Sequence, residues 1–274
     1  GFTLGTSNFA NQSSRTFVAW CWKAGTSFTN DASATSVGNT DSSGSASSTA
    51  GFSIAKWVGA GASLDIQVKH GLSVKPAVMW TKNIEEAGGN HWAVYHHKNT
   101  SAPETDYLKL SSNASTTDDA EIWADTEPTS AIFTAGDHSG SNRANDDFVG
   151  YFWNDVQGYS KFGSFVGNGS TDGPFVHLGF SPELIIWKNA TTGNLQGWWM
   201  ADAKRDTYNV ADENLRPNGS GAASESYDMF DFTSNGFKVR WDDDSINDSG
   251  ETIVYMAFAK APFVNSKKIP CNAR

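Results

Sequence analysis

The stretch FVGYFWNDVQGYSKFGSFVGNG, residues 148–169, decides how the chain is read, because most of it occurs more than once. Residues 1–22 match 132–153 at a constant spacing of 131: Phe2 falls on Phe133, Thr3 on Thr134, Gly5 on Gly136, Phe17 on Phe148, Val18 on Val149, Trp20 on Tyr151 and Trp22 on Trp153. The second half of the stretch recurs as well, since SIAKWVGAG at 53–61 matches KFGSFVGNG at 161–169. Near the chain's end Phe133 falls on Phe237, Val149 on Val254 and Trp153 on Phe258. Self-similarity at a fixed period marks a repeated structural unit.

Further matches fill in the period. HGLS (70–73) sits on LGFS (178–181), PAVMWTKN (76–83) on PELIIWKN (182–189), and Trp92 on Trp198. One unit therefore spans 51–157 and the next 158–264, followed by a tail at 265–274. Residues 1–26 correspond to the C-terminal strands of a preceding unit whose opening part has no counterpart. The expectation is a C-terminal piece of a longer polypeptide, or a chain whose first strands join a neighbour. Between them, 27–50 is rich in Ser, Gly and Thr. It has too little apolar surface to offset its ordering entropy, so it reads as a flexible linker.

Composition narrows the function. The 274 residues suffice for two domains of about 100 residues each. Charged residues are scarce at 18%, there are 26 glycines and 11 tryptophans, and the net charge is −10. That acidic balance argues against nucleic acid or an anionic membrane as partner, because phosphate contacts need clustered Lys and Arg. No apolar run is long enough to insert in a membrane as a helix. The two cysteines make no disulfide framework. Cys21 falls on Phe152 and Ala257, which predicts a buried strand position, and Cys271 lies in the tail.

Helical periodicity is nearly absent. Short runs of Val, Ile, Phe, Trp and Tyr at 16–22, 53–58, 77–81, 92–96, 148–153, 184–188, 197–201, 236–240 and 252–259 alternate with Gly, Ser, Asn and Asp clusters. Many short strands between turn signals predict antiparallel sandwiches. The fold class is all-β: two tandem antiparallel jelly-roll-like β-sandwiches plus an N-terminal partial unit.

The repeat suggests a test for tryptophans. Positions that stay large and apolar in both units read as core: Trp57 with Phe165, Trp80 with Ile186, Trp92 with Trp198, and Trp22 with Trp153 and Phe258. Three tryptophans fail it, since Trp187 corresponds to Thr81, Trp199 to Ala93 and Trp241 to Asp137. Strand side chains alternate faces. If Ile186 and Trp198 point inward, Trp187 and Trp199 point outward, directly across a hairpin from one another. Such a pair is a platform for the face of a sugar ring, or a contact for a neighbouring chain or loop.

Other chemistry is thinner. Glu121, Asp125 and Glu127 in EIWADTEP would share one face of a strand. Glycosidases on concanavalin-like sandwiches place carboxylates in this way, but the sequence reads more naturally as a turn. Asp242, Asp244 and Asp248, with Asp243 and Asn247, offer oxygen donors of the kind Ca²⁺ takes. Their spacing is not that of an EF-hand, and a solvated loop is the plainer reading. His96 and His97 are adjacent and face opposite sides. No cofactor is otherwise implied.

The motifs FVAWCWKAG, GYSKFGSFVGNGSTDGPFVHLGF, RDTYNV, SNGFKVR and YMAFAKAPF together resemble the repeating concanavalin-like β-sandwich units of virion structural and tail-fibre-like proteins of marine phages, notably cyanophages. The resemblance covers nearly the whole chain except 27–50, and it carries no catalytic residue. It implies a virion component on the particle surface, a homo-oligomer in contact with other virion proteins, and attachment to a host-surface glycan. The alternatives are an architectural subunit without a ligand and, on the same fold, a polysaccharide-cleaving enzyme.

Overall fold

The computed structural model describes residues 1–61, 64–86, 91–191, 197–223 and 227–260; the predicted tail, with Cys271, lies outside them. The protein is all-β. Its only helices among the described residues are four single turns of four residues: α1 (Asn8–Asn11), α2 (Ala32–Thr35), α3 (Ala120–Trp123) and α4 (Ser139–Asn142). The first half of the chain supplies β1 (Thr26–Asn30), β2 (Ser42–Ser47), β3 (Phe52–Val58), β4 (Ile66–Lys69), β5 (Val78–Asn83), β6 (Ala93–His96), β7 (Asp106–Lys109), β8 (Thr117–Asp118), β9 (Ile132–Ala135) and β10 (Asp147–Trp153). The second supplies β11 (Ser160–Val166), β12 (Phe175–His177), β13 (Pro182–Asn189), β14 (Trp199–Asp202), β15 (Asn214–Leu215), β16 (Phe230–Thr233), β17 (Gly236–Val239) and β18 (Thr252–Ala259).

The two halves repeat one topology. The first large sheet runs β1-β2-β3-β10-β5-β6-β7-β8, and the second runs β11-β18-β13-β14-β15. Strand for strand, β3-β10-β5-β6-β7 and β11-β18-β13-β14-β15 are the same order. A small sheet, β4-β9, faces the first large sheet, and β12-β17-β16 faces the second. Every pairing between named strands is antiparallel, and the matched positions pair alike: Phe152 lies opposite Ser53 and Ala257 opposite Lys161.

The agreement extends to single hydrogen bonds. Asn142 Oδ1 accepts the Ala60 N–H at 2.7 Å, and Asn247 Oδ1 accepts the Asn168 N–H at 2.9 Å. The backbone carbonyls of the same two asparagines accept the Gly61 and Gly169 N–H groups. Both side chains are buried. Each ties the loop after the first strand of its unit to the turn before the last.

Three cores are stacked in one line. The first lies between the small sheet β4-β9, α3 and the first large sheet, around Trp57, Tyr95, Trp123, Phe133, Phe148 and Phe152. Another lies between β12-β17-β16 and the second large sheet, around Trp187, Trp199, Phe230, Phe237 and Tyr255. A middle core joins the large sheets face to face, through Phe52, Val78, Val94, Leu108 and Trp153 from one and Phe162, Leu184, Ile186, Trp198, Val254, Met256 and Phe258 from the other. Hydrogen bonds cross it: His96 Nε2 donates to the Tyr255 carbonyl at 3.1 Å, and the Trp198 indole N–H to the Lys109 carbonyl at 3.0 Å. Antiparallel sheets commonly leave one face in water. Here the central strands are covered on both.

Two expectations are corrected. Residues 27–50 are not a linker. β1 and β2 form a hairpin that adds to the edge of β3. What the segment lacks in apolar surface it replaces with polar closure. Asp31 caps α2 through the Ala34 N–H, Asp41 accepts the Ala32 N–H, Asn30 donates to the Val37 carbonyl, and the Ser42 hydroxyl donates to the Lys69 carbonyl. Nor do residues 1–25 form strands, although 16–22 has the sequence of one. Residues 16–25 join no ladder and make no backbone hydrogen bond to any described residue. Val18, Trp20, Trp22 and Ala24 are half-buried, while Phe17, Ala19, Cys21 and Lys23 are exposed. Trp22 packs edge-on against Phe258 at 5.2 Å and against Trp153 at 6.1 Å between ring centroids. Cys21, expected inside, is therefore outside.

Candidate functional site

The outward tryptophan pair is overturned. Trp187 and Trp199 do lie opposite one another, their rings parallel with centroids 6.2 Å apart, but they are 0% and 3% exposed. Phe230 meets Trp187 edge-on at 4.8 Å, and the Arg216 guanidinium covers Trp199 3.8 Å from its ring centroid. The two point into the core of their own sandwich, and it is Ile186 and Trp198 that face the other sheet. Alternation of faces was sound; the inference from divergence to exposure was not. In the first unit the counterparts are the smaller Thr81 and Ala93, and α3 brings Ile122 and Trp123 into the same core, Trp123 edge-on to Tyr95 and Phe133. Close packing fixes the total volume of a core, not the position that supplies it.

Trp241 stands differently. Its ring is half-buried against the edge of the second sandwich core. Tyr227 lies over it, centroids 4.3 Å apart and planes 17° from parallel. Tyr227 is 38% exposed, so its outer face is the surface of a two-ring stack. Arg240 stands next in sequence and its Nε is 3.5 Å from the Asp231 carboxylate. The stack thus sits on a polar, charged surface.

In the acidic loop beside it the carboxylates point to separate partners. Asp242 and Asp244 are exposed, and Asp243 and Asp248 are spent on the Ser245 and Ser249 N–H groups of the turn. Among the described residues no three acidic, His or Cys side chains converge as a ligand set. The EIWADTEP carboxylates do not converge either. That segment is the turn α3 and a loop rather than a strand, and Glu127 is ion-paired with Lys75.

A second aromatic feature escaped the sequence reading. Trp22, Ile54, Trp80, Trp92, Leu110 and Tyr151, with the buried Phe52 and Trp153, line an apolar cleft of about 290 Å³. It is the part of the first large sheet's outer face that the second sheet does not cover. The signal was available: Trp80 and Trp92 face the same way as Ile186 and Trp198, so a shared core that ends early leaves them at its rim.

A family model described as a domain of unknown function, DUF7483, matches residues 1–262. The chain belongs to the DUF7483 family. No curated protein and no solved structure matches it. The DUF7483 match runs through the N-terminal segment, the β1–β2 hairpin and both sandwiches, so the unpaired segment is part of what defines the family.

Proposed function

We propose that this DUF7483 chain is a non-enzymatic structural protein of a phage virion, a tail-fibre or surface-fibre segment that contacts host-surface glycans. The observation that carries the reading is the Tyr227–Trp241 stack, exposed at Tyr227, on two sandwiches joined by a shared core. A flat aromatic face binds the C–H face of a pyranose ring, and backing by Trp241 removes the entropy cost of holding Tyr227 in place. Individual contacts of this kind are weak, and a fibre gains strength by presenting many copies. The resemblance of the repeat motifs to phage fibre-type proteins and the acidic overall composition, with only 18% charged residues, support the same reading. The other virion components and further copies of the chain are its structural partners.

Glycan-array binding by the oligomeric protein tests it. Tyr227→Ala and Trp241→Ala should each lower the signal about tenfold or more, as loss of a stacked aromatic implies, while Trp92→Ala leaves it unchanged. Binding that survives both substitutions, or no binding to any bacterial glycan, removes the attachment role and leaves an architectural subunit. The three stacked cores favour that second reading on their own, since they build rigidity without needing a ligand.

A further inference from the structure

The N-terminal segment carries the sequence of a strand pair that here has no sheet. Its apolar residues sit outside where their counterparts sit inside. Phe2, Leu4 and Phe17 are 64%, 46% and 48% exposed. Their counterparts Phe133, Ala135 and Phe148 in the first unit, and Phe237, Val239 and Ile253 in the second, are at most 1% exposed. The same holds for a polar position. Asn142 and Asn247 are buried and clasp the loop after the first strand of their units, whereas the counterpart Asn11 is exposed and bonds within its own segment, its side chain to the Gly5 carbonyl and its N–H to the Ser7 carbonyl.

The two faces of residues 17–22 are in different states. Val18, Trp20 and Trp22 correspond to Val254, Met256 and Phe258, which face the middle core; Trp20 and Trp22 already lie against that core, and Val18 is half-buried. Phe17, Ala19 and Cys21 correspond to Ile253, Tyr255 and Ala257, which face the private core of a sandwich. That second face is bare, and both backbone edges are unpaired. In each complete unit the matching strand lies between two neighbours, β10 between β3 and β5, and β18 between β11 and β13. The aromatic cleft beside Trp22 is open outer face of a large sheet, the kind of surface that in this molecule is covered by another large sheet.

We propose that residues 1–22 are a donated strand pair: they complete a further β-sandwich unit of this same repeat, one that lacks its own β9- and β10-type strands, and seat it over the Trp80–Trp92 cleft. The occupant is specific. It must offer a β3-type and a β5-type strand on either side of 16–22, a small-sheet strand beside 1–4, and a loop for Asn11 to clasp. The segment supplies backbone pairing on both edges and the side chains Phe2, Leu4 and Phe17 for the private core, as in strand addition generally. It also supplies the inner face already docked, so only one face remains to be ordered. The register follows from the two complete units. Cys21 lies opposite the residue that corresponds to Ser53 and Lys161.

With Cys271→Ser as background, the Cys21 thiol reports the state, because Cys21 is exposed in this chain and its counterparts Phe152 and Ala257 are 0% exposed. The test places residues 158–235 ahead of Gly1 of the full chain, and in a second protein residues 51–131, so that each supplies the missing part of a unit. Maleimide reaction of Cys21 is expected to slow by about 100-fold or more in both fusions, the protection a core position gives. Phe17→Asp within either fusion should restore the fast reaction. Unchanged reactivity of Cys21 in both fusions, with hydrogen exchange of 182–189 still protected, overturns the proposal. So does protection of Cys21 in the unfused chain that grows with its concentration, because a second copy would then be the receiver.

Discussion

Two histidines show how single side chains are committed here. His96 and His70 are buried with both ring nitrogens used. The Nε2 of His96 bonds to the Tyr255 carbonyl and its Nδ1 accepts the Lys98 N–H; the Nε2 of His70 bonds to the Thr129 carbonyl and its Nδ1 accepts the Leu72 N–H. Each ring must be neutral, since a proton on Nδ1 would break the second bond. Burial pushes His96 down to about 3 and His70 down to about 4. In the unfolded chain both take up a proton below about pH 6.5, the ordinary histidine value. Stability is therefore full above that pH and drains as pH falls toward 4, by about 1.4 kcal/mol per unit for each histidine. Asp206, pushed up to about 6 chiefly by burial, acts in the opposite sense below pH 6 but is only half-buried and weaker. Urea midpoints measured from pH 7.5 to 4.5 should fall steadily, and His96→Gln should flatten the fall. A midpoint independent of pH in wild type would contradict the neutral buried rings.

At the scale of the element, the β1–β2 hairpin is where sequence was most misleading. Composition placed 27–50 among disordered segments, since it has a single large apolar residue beyond the valine, Phe28, to bury. Its order comes from the edge of β3 instead. Six residues of β2 pair with Phe52–Trp57, and Gly44 opposite Ala55 lets the backbones meet. A Cβ at Gly44 would lie 1.9 Å from the Ile54 carbonyl oxygen. Glycine is needed there for approach rather than for turning. Gly44→Ala should cost about 1–3 kcal/mol and release the hairpin. Hydrogen exchange would then accelerate across 26–47 while β13 keeps its protection; equal protection in the variant would show that the approach is looser. The strand pattern elsewhere was legible because turn residues and short apolar runs are local signals. A hairpin held by its neighbour's edge leaves no such mark, nor does a strand such as 16–22 that has the pattern but no partner.

For the whole molecule, the repeat could be read residue by residue, and the common strand order of the two halves follows it. What could not be read was how the halves meet. The misplacement of Trp187 came from treating each sandwich as having one wet face. β18 carried the warning: Ile253–Ala259 is apolar without interruption, as befits a strand covered on both sides. The candidate site was legible only at Trp241; Tyr227, its cover, lies in a loop with no repeat counterpart to compare. Because the middle core is shared, the halves should unfold together. Calorimetry should give one transition for the chain, and Trp198→Ala, which removes a fully buried ring and its bond to Lys109, should cost about 3–5 kcal/mol. Two resolved transitions in wild type would mean that the middle core does not couple the sandwiches.

The shared face also sets which changes the lineage can tolerate. Ala93 against Trp199, and Tyr95 against Ala201, show that each private interior has exchanged bulky and slight residues on its own terms. At the seam the counterparts stay apolar and bulky, Val78 for Leu184 and Trp153 for Phe258. Drift is cheap wherever only one half must answer for it, so new surfaces can be carried by altered loops and rebuilt interiors while the seam holds the pair in unchanged alignment.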